Sequence, residues 1–141
     1  MKHPLRTCLW FDGKAKEAAE YYCSIFKNSK ITSENPLVVT FEINGSKFMG
    51  LNGGPMFQFN EAVSMVVDCD TQEEIDYYWD KLTADGGKES MCGWLKDKYG
   101  FSWQIVPSMM GQLMSDPERG KRVMAEVLKM KKLDLKVMME A

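Results

Sequence analysis

The sequence predicts an α+β fold in which a unit of one strand, one helix and three further strands occurs twice, followed by a helical C-terminal segment. Three observations carry this prediction. Two apolar helical faces lie 56 residues apart, because Ala19, Tyr22 and Phe26 correspond to Ile75, Tyr78 and Leu82. Two hairpin signals repeat at nearly the same interval, Gly45 with Gly100 and Phe48 with Trp103, 55 residues on. Beyond Pro107 the composition shifts, and seven of the twelve methionines fall at or after Met109. A repeat of this length points to a duplicated supersecondary unit.

Each element has its own local signal. Leu5 to Phe11 is apolar and runs into Asp12-Gly13, a strand followed by a turn. Ala15, Ala18, Ala19, Tyr22, Ile25 and Phe26 then recur at helical spacing, and Asn28-Ser29 ends that helix. Leu37 to Ile43 is a strand, Asn44-Gly45 a hairpin turn, and Lys47 to Leu51 the returning strand. Asn52-Gly53-Gly54-Pro55 breaks the chain; without the lysine and hydroxyl residue of a phosphate loop it is a turn.

The second unit opens with a strand over Ala62 to Cys69. Thr71 with Glu74 forms a capping box, and Ile75, Tyr78, Trp79 and Leu82 share one helical face. Asp85-Gly86-Gly87 stops the helix. Gly93 to Asp97 and Phe101 to Val106 are strands around the Tyr99-Gly100 turn, in which Asp97 is expected to bind backbone amides. Ser115-Asp116-Pro117-Glu118 starts a further helix with Ser115 and Glu118 as its capping box. Val123, Val127 and Met130 share its face, and Leu133 with Val137 marks a last short helix. The late methionines read as adaptable core filling or as a lid or dimer surface. Glu73, Glu74, Asp76 and Asp80 read as the solvated side of the second helix, and the C-terminal lysines as helix-end charges.

Composition excludes several function classes. At 141 residues, with 45% hydrophobic and 27% charged residues, the chain buries about two-thirds of its surface as one ordinary globular domain. A net charge of −2 speaks against nucleic acid as a partner, and no apolar run is long enough to cross a membrane. No leader is recognisable, so a cytoplasmic location and reduced thiols are expected. Cys8, Cys23, Cys69 and Cys92 show no metal-knuckle spacing, and His3 is the single histidine, so Ser-His-Asp and Cys-His chemistry are not encoded.

The residues also carry a resemblance. Leu9-Trp10-Phe11-Asp12-Gly13, with Glu17-Ala18, Tyr21-Tyr22 and Phe26 after it, is similar to the opening of PhnB-like proteins. The likeness continues through Leu51-Asn52-Gly53-Gly54-Pro55 and Thr71-Gln72-Glu73-Glu74. It is densest from Cys92 to Gly100 and from Ser102 to Pro107, and Ser115-Asp116-Pro117 and Met130-Lys131-Lys132 extend it. This group is also labelled 3-demethylubiquinone-9 3-methyltransferase-like. It lies within the vicinal oxygen chelate superfamily of glyoxalases, bleomycin resistance proteins and dioxygenases.

The resemblance implies tandem βαβββ modules forming a cupped eight-stranded mixed sheet, plus C-terminal helices. Residues 1–141 would form one domain, with repeat units at about 4–59 and about 60–107 and an extension over about 108–141. It also implies a homodimer and, in the wider superfamily, a divalent metal held by histidines and glutamates. Here Gln104 stands where a metal-binding glutamate is usual, the first strand offers Cys8 but no histidine, and Met56 replaces a histidine after Gly54-Pro55. No cofactor is therefore predicted, although a divalent metal on non-standard ligands stays open.

Strand alternation places Cys8 and Trp10 on one face of the first strand, with Leu9 and Phe11 against the helix. Likewise Ser102, Gln104 and Val106 share a face opposite Trp103 and Ile105. With Trp94, Met56 and Phe57 at the rim, the candidate pocket is Cys8, Trp10, Met56, Phe57, Trp94, Ser102 and Gln104. The expected partner is a small organic molecule bound without the metal site. A metal-dependent lyase, isomerase or dioxygenase is the alternative. A methyltransferase is the third reading, for which 141 residues leave no room for a doubly wound domain.

Overall fold

Period-two burial in the strands and one-sided burial in the helices set the architecture of the computed structural model, which describes residues 1–141. The chain divides into two modules, Met1–Gln58 and Phe59–Ala141, each with its own four-stranded mixed sheet.

The first module comprises β1 (Thr7–Phe11), α1 (Ala15–Ile25), β2 (Lys30–Glu34), β3 (Val38–Ile43) and β4 (Ser46–Asn52), with strand order β1-β4-β3-β2. β1 runs parallel to β4, and the other pairs are antiparallel. Leu9, Phe11, Val39, Phe41, Ile43 and Phe48 project from one sheet face and are buried, as are Ala15, Ala18, Ala19, Tyr22 and Ile25 of α1. The rings of Tyr22, Phe41 and Phe48 stack in sequence at 6.4 and 5.6 Å. Asn44 and Gly45, both at positive φ, close the β3–β4 hairpin.

The second module repeats the plan with β5 (Ser64–Cys69), α2 (Gln72–Thr83), β6 (Lys88–Glu89), β7 (Trp94–Lys96) and β8 (Ser102–Pro107), in the order β5-β8-β7-β6. α3 (Met110–Leu113), α4 (Pro117–Val127) and α5 (Leu135–Glu140) follow. Thr71 caps α2 by accepting the Glu74 N–H at 3.2 Å. The cap of α4 is Asp116, which accepts from the Glu118 N–H, not Ser115, whose hydroxyl bonds the Gln112 carbonyl.

Several boundaries differ from the sequence reading for a common reason. Leu5 (84% exposed) and Leu37 (56% exposed) lie outside β1 and β3, because hydrophobicity alone does not make ladder pairing. β2 and β6 carried no periodic signal: both are edge strands whose residues are mostly exposed and which are held by backbone hydrogen bonds.

The β7–β8 hairpin is organised by Asp97, which is 2% exposed. Its Oδ1 accepts the N–H groups of Tyr99 (2.9 Å) and Phe101 (3.1 Å), and its Oδ2 accepts the Trp103 indole N–H at 2.9 Å. The turn and the core aromatic of β8 are thus tied to one carboxylate.

A second constraint comes from the segment between α4 and α5. The Cys92 and Gly93 N–H groups donate to the carbonyls of Met130 and Lys131, both at 2.8 Å. The Gln72 side chain donates to the Leu133 carbonyl (3.0 Å) and accepts the Leu135 N–H (2.8 Å). Lys132 Nζ lies 2.8 Å from Asp76 Oδ1, so Asp76 bridges to the C-terminal segment and is not simply the solvated side of α2. Underneath, Leu113, Val123, Val127, Leu133 and Met138 form a core into which Met109, Met110, Met124 and Met130 pack. Those methionines serve as core filling.

Two predictions follow from these ties. Asp97→Asn places an amide donor among three donors, and urea unfolding should report a loss of about 2–3 kcal/mol; a loss below about 0.5 kcal/mol would remove Asp97 from its organising role. The second concerns acid. Lys132 first, and the Gln72 amide second, hold the Asp76 carboxyl below its ordinary value of 3.8. Folded Asp76 binds its proton less tightly than unfolded Asp76, so the contribution is complete above that ordinary value and fades as pH falls through the lower folded one. The pair is about 40% exposed, which keeps its worth under about 1 kcal/mol. Asp76→Asn should therefore flatten the fall in stability from about pH 5 to about pH 2 relative to the parent chain. Parallel curves would discount the pair.

Candidate functional site

In the second module the strand register determines which side chains share the sheet face opposite α2. Lys96 pairs with Ser102 and Trp94 with Gln104 across β7 and β8, Lys88 pairs with Lys96 across β6 and β7, and Ser64 and Val66 stand beside Ser102 and Gln104 on β5. Leu95, Trp103 and Ile105, on the alternate positions, are buried. A recess of about 590 Å³ opens at β6 and β7, with Met91, Cys92, Trp94, Leu95, Lys96 and Ser102 among its walls and Glu61, Lys88, Glu89 and Ser90 at the remainder.

Its polar groups are unevenly satisfied. Lys96 Nζ sits 3.0 Å from Glu61 Oε1, and Glu89 Oε2 accepts the Trp79 indole N–H at 2.6 Å. Lys96 and the Glu61 backbone hold the Glu61 carboxyl below its usual range. Ser102 is fully buried, and its hydroxyl has no hydrogen-bond partner. A buried hydroxyl without a partner costs about 1–3 kcal/mol, which makes Ser102 the anomaly of the module.

The wall formed by residues 91–93 is set by the C-terminal segment. Cys92 has φ +63° and Gly93 φ +84°. A Cβ at Gly93 would come within 2.9 Å of the Ile105 carbonyl and 3.1 Å of Leu133, so that position is closed to side chains by both its backbone and its neighbours.

The first module carries the other candidates. Cys8 and Trp10 alternate with buried Leu9 and Phe11, on the sheet face away from α1. The Trp10 indole N–H donates to the Gly54 carbonyl at 2.8 Å, and its ring meets Phe57 edge-on at 4.8 Å. The loop therefore folds back over the indole, and a Cβ at Gly53 would fall 2.4 Å from that ring. Met56 is 78% exposed, against 59% for Phe57. Asn52 pins this loop from the other side, accepting the Ala15 N–H and donating to the Pro36 carbonyl.

The sequence pattern of the 3-demethylubiquinone-9 3-methyltransferase family matches residues 3–106. The PhnB protein of Bacillus cereus, which carries the same designation, is 36% identical. It covers 74% of this chain and 99% of its own, with a TM-score of 0.66. The chain belongs to this PhnB-like family. Protein PA1353 of Pseudomonas aeruginosa (16% identical, TM-score 0.59, 75% of this chain and 98% of that one) shares the fold. So does FosX, a fosfomycin resistance protein of Listeria monocytogenes solved with Mn(II) and sulfate (14% identical, TM-score 0.60, 82% and 97%). No curated protein matches the chain. The family match ends at residue 106, so α3 to α5 and the segment that holds the recess wall lie outside it.

The divalent metal expected from the sequence resemblance needs a converging set of imidazole, thiolate or carboxylate donors. In neither module do three or more histidine, cysteine, aspartate or glutamate side chains converge as a metal-holding group. Gln104 spends its amide N–H on the Ser64 hydroxyl at 3.0 Å. The donor set does not fit a divalent metal.

At Cys8, Cys23 and Cys69 the surroundings favour the thiol over the nucleophilic thiolate. Burial raises the thiols of Cys8 and Cys23 above their ordinary range, and Arg6 offsets this only in part at Cys8. Cys69, fully buried, is pushed up to about 12 by burial and then by Glu74, Asp68 and Asp70.

Of the predicted pocket residues, Trp94 and Ser102 line the recess together, and Gln104 stands next to Trp94 on the same face. Trp10 and Phe57 touch, whereas Met56 projects into solvent. Sequence reasoning missed Lys96, Lys88 and Glu61, since charged residues on short or irregular segments carry no periodic signal. The i, i+2 relation of Trp94 and Lys96 was the available signal. Iodoacetamide at mildly alkaline pH should modify exposed Cys8 first and leave Cys69 unmodified until the chain unfolds, as peptide mass mapping would read. Early labelling of Cys69 would contradict its burial.

Proposed function

We propose that this PhnB-like chain binds a small organic molecule in the recess of its second module, without the superfamily's metal. One observation carries the reading: a fully buried serine hydroxyl with no partner lies in the wall of a recess of about 590 Å³ beside an aromatic ring. Small-molecule sites combine apolar walls with a few placed polar groups, and volumes of about 300–1,000 Å³ are usual for them. Trp94 and Met91 supply the apolar walls; Ser102 and Lys96 supply the polar groups. A ligand acceptor or donor at Ser102 would make the hydrogen bond that the protein itself leaves unmade. Trp10, Phe57, Cys8 and Met56 are assigned to the loop face of the first module, and Gln104 to orientation of the sheet face through Ser64.

The methyltransferase designation of the family requires a methyl donor. The chain has no glycine-rich loop opening a helix, the usual cradle for such a cofactor. Binding, followed by retention or release, is the activity that the recess supports.

Tryptophan emission tests this directly, because Trp94 lines the recess while Trp79 and Trp103 are buried. A library of small organic molecules should contain members that shift or quench emission in the parent chain and lose that effect in Trp94→Phe. A library without effect would remove the binding reading, and micromolar binding of S-adenosylmethionine by calorimetry would favour the family's designation instead.

A further inference from the structure

We propose that the recess of the second module is an anion site that takes a small organic acid, its carboxylate on Lys96 and Ser102 and its apolar body against Trp94 and Met91. This deepens the binding reading above and rests on it.

The register places the two polar groups side by side. Lys96 and Ser102 are direct partners across the β7–β8 ladder, so both side chains leave the same sheet face about 5 Å apart at Cβ. Lys88 is the direct partner of Lys96 on the other side. Two ammonium groups opposite one another on one ladder repel unless an anion sits between or beside them. Ser102 adds a buried hydroxyl that nothing in the chain accepts from or donates to. Three donors thus line a recess whose apolar side chains are Trp94 and Met91.

The protein already shows what Lys96 binds. Glu61, on the irregular segment ahead of β5, lays its carboxylate 3.0 Å from Lys96 Nζ while remaining 65% exposed. It meets the ammonium and leaves Ser102 without a bond. Glu89, the other acid at the recess, is engaged by the Trp79 indole. Glu61 is therefore an internal stand-in for the ligand carboxylate, one that satisfies the lysine but not the serine. An incoming acid displaces Glu61 and satisfies both. A carboxylate uses its two oxygens for this, whereas a neutral amide offers one acceptor oxygen and a donor nitrogen that faces an ammonium group.

The test compares 3-phenylpropionate with 3-phenylpropionamide on the full chain, read by tryptophan emission and by calorimetry. The acid should bind at least about tenfold more tightly than the amide, the factor expected for one charge-assisted hydrogen bond. Lys96→Met and Ser102→Ala should each weaken the acid and leave the amide little changed. Glu61→Gln should tighten the acid, because the competing carboxylate is gone. Lys96→Arg, which keeps the charge, guards against a folding defect in Lys96→Met and should retain most of the affinity. Equal binding of acid and amide, or weaker acid binding in Glu61→Gln, overturns the anion site while leaving a neutral-ligand reading intact. Failure of both probes, with neutral members of the wider library still acting through Trp94, likewise overturns it. Failure of every molecule removes the binding reading as well.

Discussion

The Asp97 carboxylate is the interaction on which the second module's working face depends. Charge-assisted hydrogen bonds from Tyr99, Phe101 and Trp103 converge on it at 2.9–3.1 Å, inside a region from which water is excluded. The turn held in this way sets the register of β7 against β8. That register then puts Trp94 and Lys96 opposite Gln104 and Ser102. A slip of β7 by one residue would turn Trp94 and Lys96 toward α2 and bring Leu95 to the open face, while β8 keeps its faces through its pairing with β5. One buried carboxylate therefore decides both what the core contains and what the recess presents.

The two modules use the same plan for different ends. Each packs a helix on one sheet face through aliphatic and aromatic side chains, and each leaves the other face to its alternate positions. In the first, the 53–57 loop occupies the open face, with the Trp10 indole bonded to Gly54 and packed on Phe57. In the second, the open face keeps unused hydrogen-bonding capacity at Ser102. The C-terminal segment supports this second face at a distance. Its carbonyls hold the strained Cys92-Gly93 corner, and Gln72 holds the segment in turn. This support lies beyond the family match, which ends at residue 106.

Particular residues show how much of this was readable beforehand. The helical faces of α1 and α2, the Thr71 cap, the Asn44-Gly45 hairpin and the role of Asp97 rest on local chemistry, and the structure contains each of them. The edge strands β2 and β6 rest on backbone pairing with a neighbour, which leaves no periodic trace in Lys30–Glu34 or Lys88–Glu89. The Ser115 capping box failed because Asp116 is an equally good cap one residue nearer the proline. Asp76 and Lys132 are 56 residues apart, and nothing in either neighbourhood marks them as partners.

The sequence by itself determined the duplicated plan, the faces that the residues of β1 and β8 take, and the shortage of metal ligands. All three follow from residue types at short range: alternation, helical spacing, turn residues and the inventory of donors. Only the tertiary structure decided which polar groups are left unsatisfied. That Ser102 has no partner, that Lys96 borrows the Glu61 carboxylate, and that the C-terminal segment builds the wall beside them are results of long-range approach. Hydrogen-bond satisfaction is a property of neighbours in space, and for these residues the chain alone does not specify the neighbours.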